Sequence, residues 1–348
     1  MTALEMLHDD GQSLWLDHLT RELLTSRALA NYVEALAVTG VTSNLAALHQ
    51  AIRDGAAYDA AIRQGAGEGS SGEETLSGLL LDDLVRAADL FRPIWERTRG
   101  ADGWASAPLS PLLAHDSAGM LEAARDLHAR ARRPNLLLEL PGTTEGLDAA
   151  EEAIFAGLPV NVTLLFSAEQ YRAAAEAYLG GLERRIAAGL DPAVGSFASI
   201  CITHWGGAFG DPFGVAVGKK TYKAYRALLR SPRWQRLFKA GARPQRLVWA
   251  NADLRHARAL AAPFSVNTMS AGTLKTFAIR GWLVGIGGLP DRDSENLLSR
   301  LAAARIDLDA LANQLQDEAL SGLADSWGEM LDAIVSKGAG RRLLRPLV

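Results

Sequence analysis

Eight short apolar runs, separated by stretches with helical spacing, limit the folds open to this chain more than any other feature. The runs are SLWLDHL (13–19), VTGVTSN (38–44), GWASAPL (103–109), NLLLELP (135–141), PVNVTLLFS (159–167), SFASICITHW (196–205), RLVWANAD (246–253) and PFSVNTMS (263–270). Between them lie amphipathic segments such as SAGMLEAARDLHARA (117–131) and SAEQYRAAAEAYLGGLERRIAAG (167–189). The second of these opens on Ser167 as an N-cap, with Glu169 in the first turn. Strand and helix in alternation predict parallel pairing. Eight such units in 348 residues predict an α/β fold, a (β/α)8 TIM barrel with additional helices, as a single domain over 1–348. A doubly wound open sheet is the alternative, but no GxGxxG follows the first run, which weakens a dinucleotide site. Two segments break the rhythm. One is a helical insertion at about 45–101, with GAGEGSSGEE (65–74) as a flexible centre. The other is a set of added helices at about 290–337, opening at Pro290 and Asp291, with an apolar period through Leu298, Leu301, Leu308, Leu311 and Leu315.

Charge and cysteine content narrow the setting. The formal net charge is −4, so there is no basic footprint for nucleic acid, and a small molecule is the expected partner. Cys201 is the one cysteine, which excludes an intrachain disulfide and suits a reducing cytoplasm. The N-terminal MTALEMLHDDGQSLWLDHL lacks the pattern of a signal peptide, and no uncharged apolar stretch is long enough to span a membrane.

Polar residues mark the ends of the runs. They are Asp17, then Thr42, Ser43 and Asn44, then Glu139, then Asn161 and Thr163, then Ser199, Thr203 and His204, then Asn251, and finally Asn267 and Thr268. Several are two residues apart, which puts them on one face of a strand. In a barrel the chemistry sits where strands run into the following loops. Asn and Thr there also cap loops, and Asp17 could cap the turn that follows it. Glu139 is harder to dismiss, because an ionised carboxylate among leucines costs free energy unless it is paired or protonated. An ion pair with an arginine is its structural alternative. The loop THWGGAFGDPFG (203–214) adds glycines for tight turns and Trp205, Phe209 and Phe213 as stacking surfaces, or as packing against the barrel rim.

Taken together, these residues resemble the transaldolase family. The likeness runs nearly end to end, through LWLDHLTRELL (14–24), GVTSN (40–44), LAHD (113–116), NVTLLFS (161–167), YLGGLERRIAAGLD (178–191), GARPQRLVWA (241–250), SVNTM (265–269) and IDLDAL (306–311). It is greatest to the longer transaldolases with an insertion after the second strand. The resemblance implies a barrel acting on sugar phosphates. A fourth-strand lysine would form a Schiff base with a ketose, and a three-carbon unit would pass to an aldehyde. It gives Asp17 proton handling, and gives Asn44, Asn161, Thr163 and Ser199 the holding of substrate or a catalytic water. It also suggests pairing of barrels, hence a homodimer.

The departures cluster at the chemistry. Where the family reads Ile-Lys-Val-Pro-Gly-Thr, this chain reads Leu138-Glu139-Leu140-Pro141-Gly142-Thr143. A third-strand glutamate becomes Pro108, with Ala107 beside it. The sixth-strand arginine that holds phosphate becomes His204, and the seventh-strand serine becomes Asn251. The basic residue expected soon after is missing or displaced to Arg255. The usual Asn-Pro after the second strand is Asn44-Leu45. Only an uncharged lysine amine makes an imine with a carbonyl, and the six lysines (Lys219, Lys220, Lys223, Lys239, Lys275 and Lys337) fall outside the strand runs. The sequence therefore predicts loss of transaldolase activity. In its place it predicts a repurposed enzyme of isomerase, lyase or cyclase type. Glu139, Asp17 and His204 would be its acid–base groups, and Ser43, Asn44, Asn161, Thr163, Ser199, Trp205 and Asn251 would hold a small metabolite. A non-catalytic homologue that binds a metabolite or a partner protein is the alternative. No cofactor is expected, and no HxH or ExxH spacing supports a metal. The lost arginine and the aromatic loop suggest a substrate with less phosphate and more apolar or planar character.

Overall fold

The computed structural model describes residues 3–205, 211–280, 292–303 and 305–339. Its eight parallel strands close into a barrel in the order β1-β2-β3-β4-β5-β6-β7-β8. They are β1 (Ser13–Leu16), β2 (Val38–Val41), β3 (Trp104–Pro108), β4 (Leu136–Pro141), β5 (Val160–Leu165), β6 (Ser196–Ile200), β7 (Arg246–Trp249) and β8 (Ser265–Met269). The (β/α)8 expectation holds, and the open sheet does not. Several strands are shorter than the runs that announced them. The polar tails at 17–19, 42–44, 201–205 and 250–253 leave the ladder and enter the loops.

The two-residue period of a strand builds the barrel interior in layers. Trp15, Trp104, Leu137, Phe197, Val248 and Val266 meet as a buried plug. The Trp15 and Phe197 rings lie 4.9 Å apart, and those of Trp104 and Phe197 lie 5.9 Å apart. Burying each such side chain is worth roughly 1.5–3 kcal/mol. The bulk of the rings dictates glycine at Gly40 and Gly195, where a Cβ would stand 2.6 Å from the Trp15 and Trp104 rings respectively. Two residues further along the strands the interior turns polar. Ser106 follows Trp104, Glu139 follows Leu137, Ser199 follows Phe197 and Thr268 follows Val266. The register brings Pro108 beside Glu139, and Glu139 beside Asn161.

The insertion after β2 holds the helices Leu45–Asp54, Asp59–Glu68 and Gly72–Arg97. The stretch expected as a flexible centre is a tight junction between two of them. Helix continues to Glu68 and stops at Gly69, whose φ of +81° suits glycine. It restarts through a capping box in which the Ser71 N–H donates to the Glu74 carboxylate at 2.7 Å. Glycine-rich composition here encodes a stop and a start. Beyond β8 lie the helices Arg292–Ala303 and Leu308–Ala339, while Pro290 and Asp291 fall outside the described residues. The long helix Leu308–Ala339 packs on the insertion helices through Tyr58, Ile62, Leu76, Trp327, Met330 and Ile334, a second core beside the barrel. Its other contacts reach over the mouth of the barrel, at β5 and at the turn Pro111–Leu113. No described helix is long and apolar enough to cross a membrane.

Candidate active site

The barrel mouth and the long helix enclose a cavity of about 500 Å3. Its floor is the polar layer above the aromatic plug. The Ser43 hydroxyl donates to Glu139 Oε2 at 3.0 Å. The Ser106 hydroxyl and the Ser43 backbone N–H also donate to this carboxyl. Asn161 Nδ2 in turn donates to Ser106 Oγ at 3.1 Å, and Ser199 Oγ donates to Asn161 Oδ1 at 2.8 Å. Five residues from five loops and strands thus form one chain of hydrogen bonds, and it fixes the Glu139 rotamer. Enclosure by protein raises the Glu139 pKa above the ordinary 4.5, against the opposing pull of Ser106 and Ser43. Among the described residues no arginine bonds to it, so the ion-pair alternative does not apply.

The other sequence candidates divide. Ser43, Asn44, Asn161, Thr163, Ser199, His204 and Asn251 all line the cavity with Glu139. The Asn44 side chain also caps the helix after β2, its Oδ1 accepting from Ala47 N at 3.0 Å, while its NH2 takes no part in the cap. Asn251 takes a left-handed φ of 54°, a conformation asparagine tolerates. His204 stands at the rim in the loop after β6, its ring edge-on to Phe166 with centroids 5.4 Å apart. The residue is exposed at the rim, but the protein packed around its ring disfavours the charged form and holds its pKa below the usual histidine range, so the ring is neutral at neutral pH.

Asp17 and Trp205 are absent from the described lining. Asp17 is buried just past β1, with its Oδ1 2.8 Å from Nδ1 of His18. Trp205 is almost fully buried. Its indole N–H donates to the Phe166 carbonyl at 2.9 Å, and its ring packs on Phe213 with centroids 4.7 Å apart. A Trp beside glycines can pack inward as readily as outward, and here it packs inward against Phe166 and Phe213. Phe209 lies outside the described residues.

Three contributors were not singled out from the sequence. Ser106 was legible, since it shares the inward face of β3 with Trp104. Cys201 lines the wall, but burial pushes its thiol up to about 12, which removes it as a nucleophile. The roof was not legible. Leu315, Glu318, Ala319, Leu320 and Leu323 of the long helix face the cavity, and Gln316 Nε2 donates to the Leu164 carbonyl at 2.7 Å. Leu164 sits at φ 57° where β5 loses register with β6, so the roof is pinned to a strained strand end. All six lysines lie on helices, and none lines the cavity.

A barrel whose strand ends carry this polar set, roofed by an added helix, defines an enzyme scaffold of aldolase type. Residues 14–334 match the family Transaldolase/Fructose-6-phosphate aldolase, and the chain belongs to that family. It is 34% identical to Transaldolase 1 of Streptomyces avermitilis, over 97% of this chain and 96% of that protein. It is 35% identical to a transaldolase of Thermobifida fusca, over 97% and 98%. It is 36% identical to one of Saccharopolyspora erythraea, over 95% and 96%. These matches correct one expectation. The sequence reading took Glu139 as the mark of a protein that has left transaldolase activity for isomerase, lyase or cyclase chemistry, or for a non-catalytic role. Relatives matched from end to end are named transaldolase, and they overturn that reading. A single position weighs less than a likeness that covers 95–97% of the chain.

Proposed function

We propose that this chain carries out the transaldolase reaction, passing a three-carbon unit from a ketose to an aldehyde, without an imine. The observation that carries the reading is Glu139, a carboxyl with a raised pKa on β4, hydrogen-bonded to Ser43 and Ser106 at the cavity floor. An imine serves aldol cleavage as an electron sink, and a protonated carbonyl oxygen serves the same purpose. Neutral Glu139 hydrogen-bonds the ketose carbonyl and gives it a proton as the bond between the third and fourth carbons breaks. The electron pair of that bond becomes the double bond of an enediol. The proton of the fourth-carbon hydroxyl passes to the neutral ring of His204, and an aldehyde leaves. The steps then reverse on the acceptor aldehyde. His204 returns its proton to the new hydroxyl, Glu139 regains its own, and no net proton is consumed. Asn161, Ser199, Ser43, Asn44, Thr163 and Asn251 supply the amide and hydroxyl groups that hold the polyol. Asp17, bonded to His18, is given no direct contact with substrate.

The test is transfer from a ketose to an aldehyde acceptor, followed by chromatography of the new ketose. Wild type forms product. Glu139→Gln keeps the shape but has no proton to give, and kcat falls about 100-fold or more, the range of general acid catalysis. Equal rates for the two proteins would remove Glu139 from the reaction. No product from any ketose would remove the function.

A further inference from the structure

The walls of the cavity point to the charge of the substrate. Two acidic side chains face it, the Glu139 carboxyl on the floor, which burial pushes towards its neutral form, and the Glu318 carboxylate on the roof. Gln314 Nε2 donates to Glu318 Oε1 at 2.8 Å, which orients the roof carboxylate. The rest of the described roof facing the cavity is mostly apolar: Leu315, Ala319, Leu320 and Leu323. No described lining residue is a lysine or arginine. His204, at the rim, is held neutral by the protein packed around its ring.

A phosphate also binds where a helix N-terminus offers free N–H groups. Three of the helices that begin at the mouth give one of these N–H groups to their own caps. Asn44 Oδ1 accepts from Ala47 N, Thr143 Oγ1 from Gly146 N and Ser167 Oγ from Gln170 N, each at 3.0 Å. Among the described residues the ligand therefore meets hydroxyls, amides, an apolar ceiling, the Glu139 carboxyl and the Glu318 carboxylate.

We infer that this site takes a neutral, non-phosphorylated polyhydroxy ketone, and that Glu318 excludes phosphorylated ones. The inference rests on the aldol-transfer reading and names its substrate class. Hydroxyl-bearing carbons nearest the carbonyl lie against the serine and asparagine chain. The far end of the ketose lies under the leucines of the roof, beside Glu318. A phosphate there meets a like charge, with no lysine or arginine among the described lining residues to offset it.

The experiment compares fructose with fructose 6-phosphate in two ways. Turnover is measured as kcat/KM with one aldehyde acceptor. Binding is measured by calorimetry on Glu139→Gln, in which no chemistry intervenes. Wild type is expected to favour fructose by about tenfold or more, a discrimination ordinary for like-charge exclusion at a site. Glu318→Arg, on an exposed helix position, is expected to raise kcat/KM for the phosphate ester about tenfold or more by replacing repulsion with attraction. Fructose bound in preference, with neither sugar turned over, would uphold the substrate class and overturn the aldol reading. Fructose 6-phosphate bound or turned over in preference by wild type would overturn the substrate class and leave the aldol reading standing. Binding of neither sugar would also overturn it, and so would a Glu318→Arg protein with unchanged preference.

Discussion

Two carboxyls, one at each end of the barrel, are held by hydrogen-bond donors and treated in opposite ways. At the closed end, Asp102 accepts from the Trp15 indole at 2.8 Å, from the Gly103 N–H at 3.0 Å and from the Ser13 hydroxyl. Arg246 comes to 3.9 Å of it and donates to Ser13 Oγ, to the Ala101 carbonyl and to the Ser265 carbonyl. The charge is matched by a cation, and three donors point at it. At the open end, Glu139 has two serines and a backbone N–H, and no cation among its described partners. Burial therefore pushes Glu139 towards its neutral form. The aromatic plug lies between the two ends. A carboxyl with a matched cation anchors the closed end, and one without a cation is pushed towards its neutral form.

The largest effect that breaks this comparison is expected at the closed end. Asp102→Ala strands the Trp15 N–H, the Ser13 hydroxyl and part of Arg246, and breaking a buried pair of this kind costs about 3–5 kcal/mol. Urea unfolding measures it, and a loss under 1 kcal/mol would show that the closed end is no network. The mouth is expected to respond with the opposite sign. The Glu139 pKa is raised in the folded state, so the folded protein binds more protons than the unfolded one above the ordinary 4.5. Wild-type stability therefore declines as pH rises from there through the raised value. Glu139→Gln has no such proton to lose. Its melting temperature gains on wild type with rising pH, and parallel pH curves would contradict the assignment. The smallest effect sharpens the contrast. Ser43→Ala removes one hydrogen bond to the charged form, worth about 0.5–1.5 kcal/mol. The Glu139 pKa rises further, and the alkaline fall in kcat, where the acid loses its proton, moves to higher pH. An unmoved profile would show that another group sets that limb.

Most of the barrel was legible because a strand's period is local. Trp104 and Ser106, or Leu137 and Glu139, announce one inward face within three residues. The polar floor of the cavity follows from the same count. What lay past the strand ends was less legible. Asp17 and Trp205 are set by how the loop turns, and the bonds that turn them, to His18 and to the Phe166 carbonyl, leave no periodic trace. The roof was invisible for a different reason. Gln316 meets Leu164 across 152 positions of sequence, and an amphipathic helix shows that it covers something without showing what. The reading of Glu139 failed on weight rather than on chemistry. The residue stands where the sequence put it, and an activity was denied on that one position against a likeness running the length of the chain.

The central claim is transaldolase transfer without a lysine imine. It is tested most directly by intact-mass spectrometry of the enzyme quenched with borohydride during turnover of a ketose and an aldehyde. The account predicts product formation and an unmodified protein mass. A stable adduct of a three-carbon unit on any of the six lysines would contradict it.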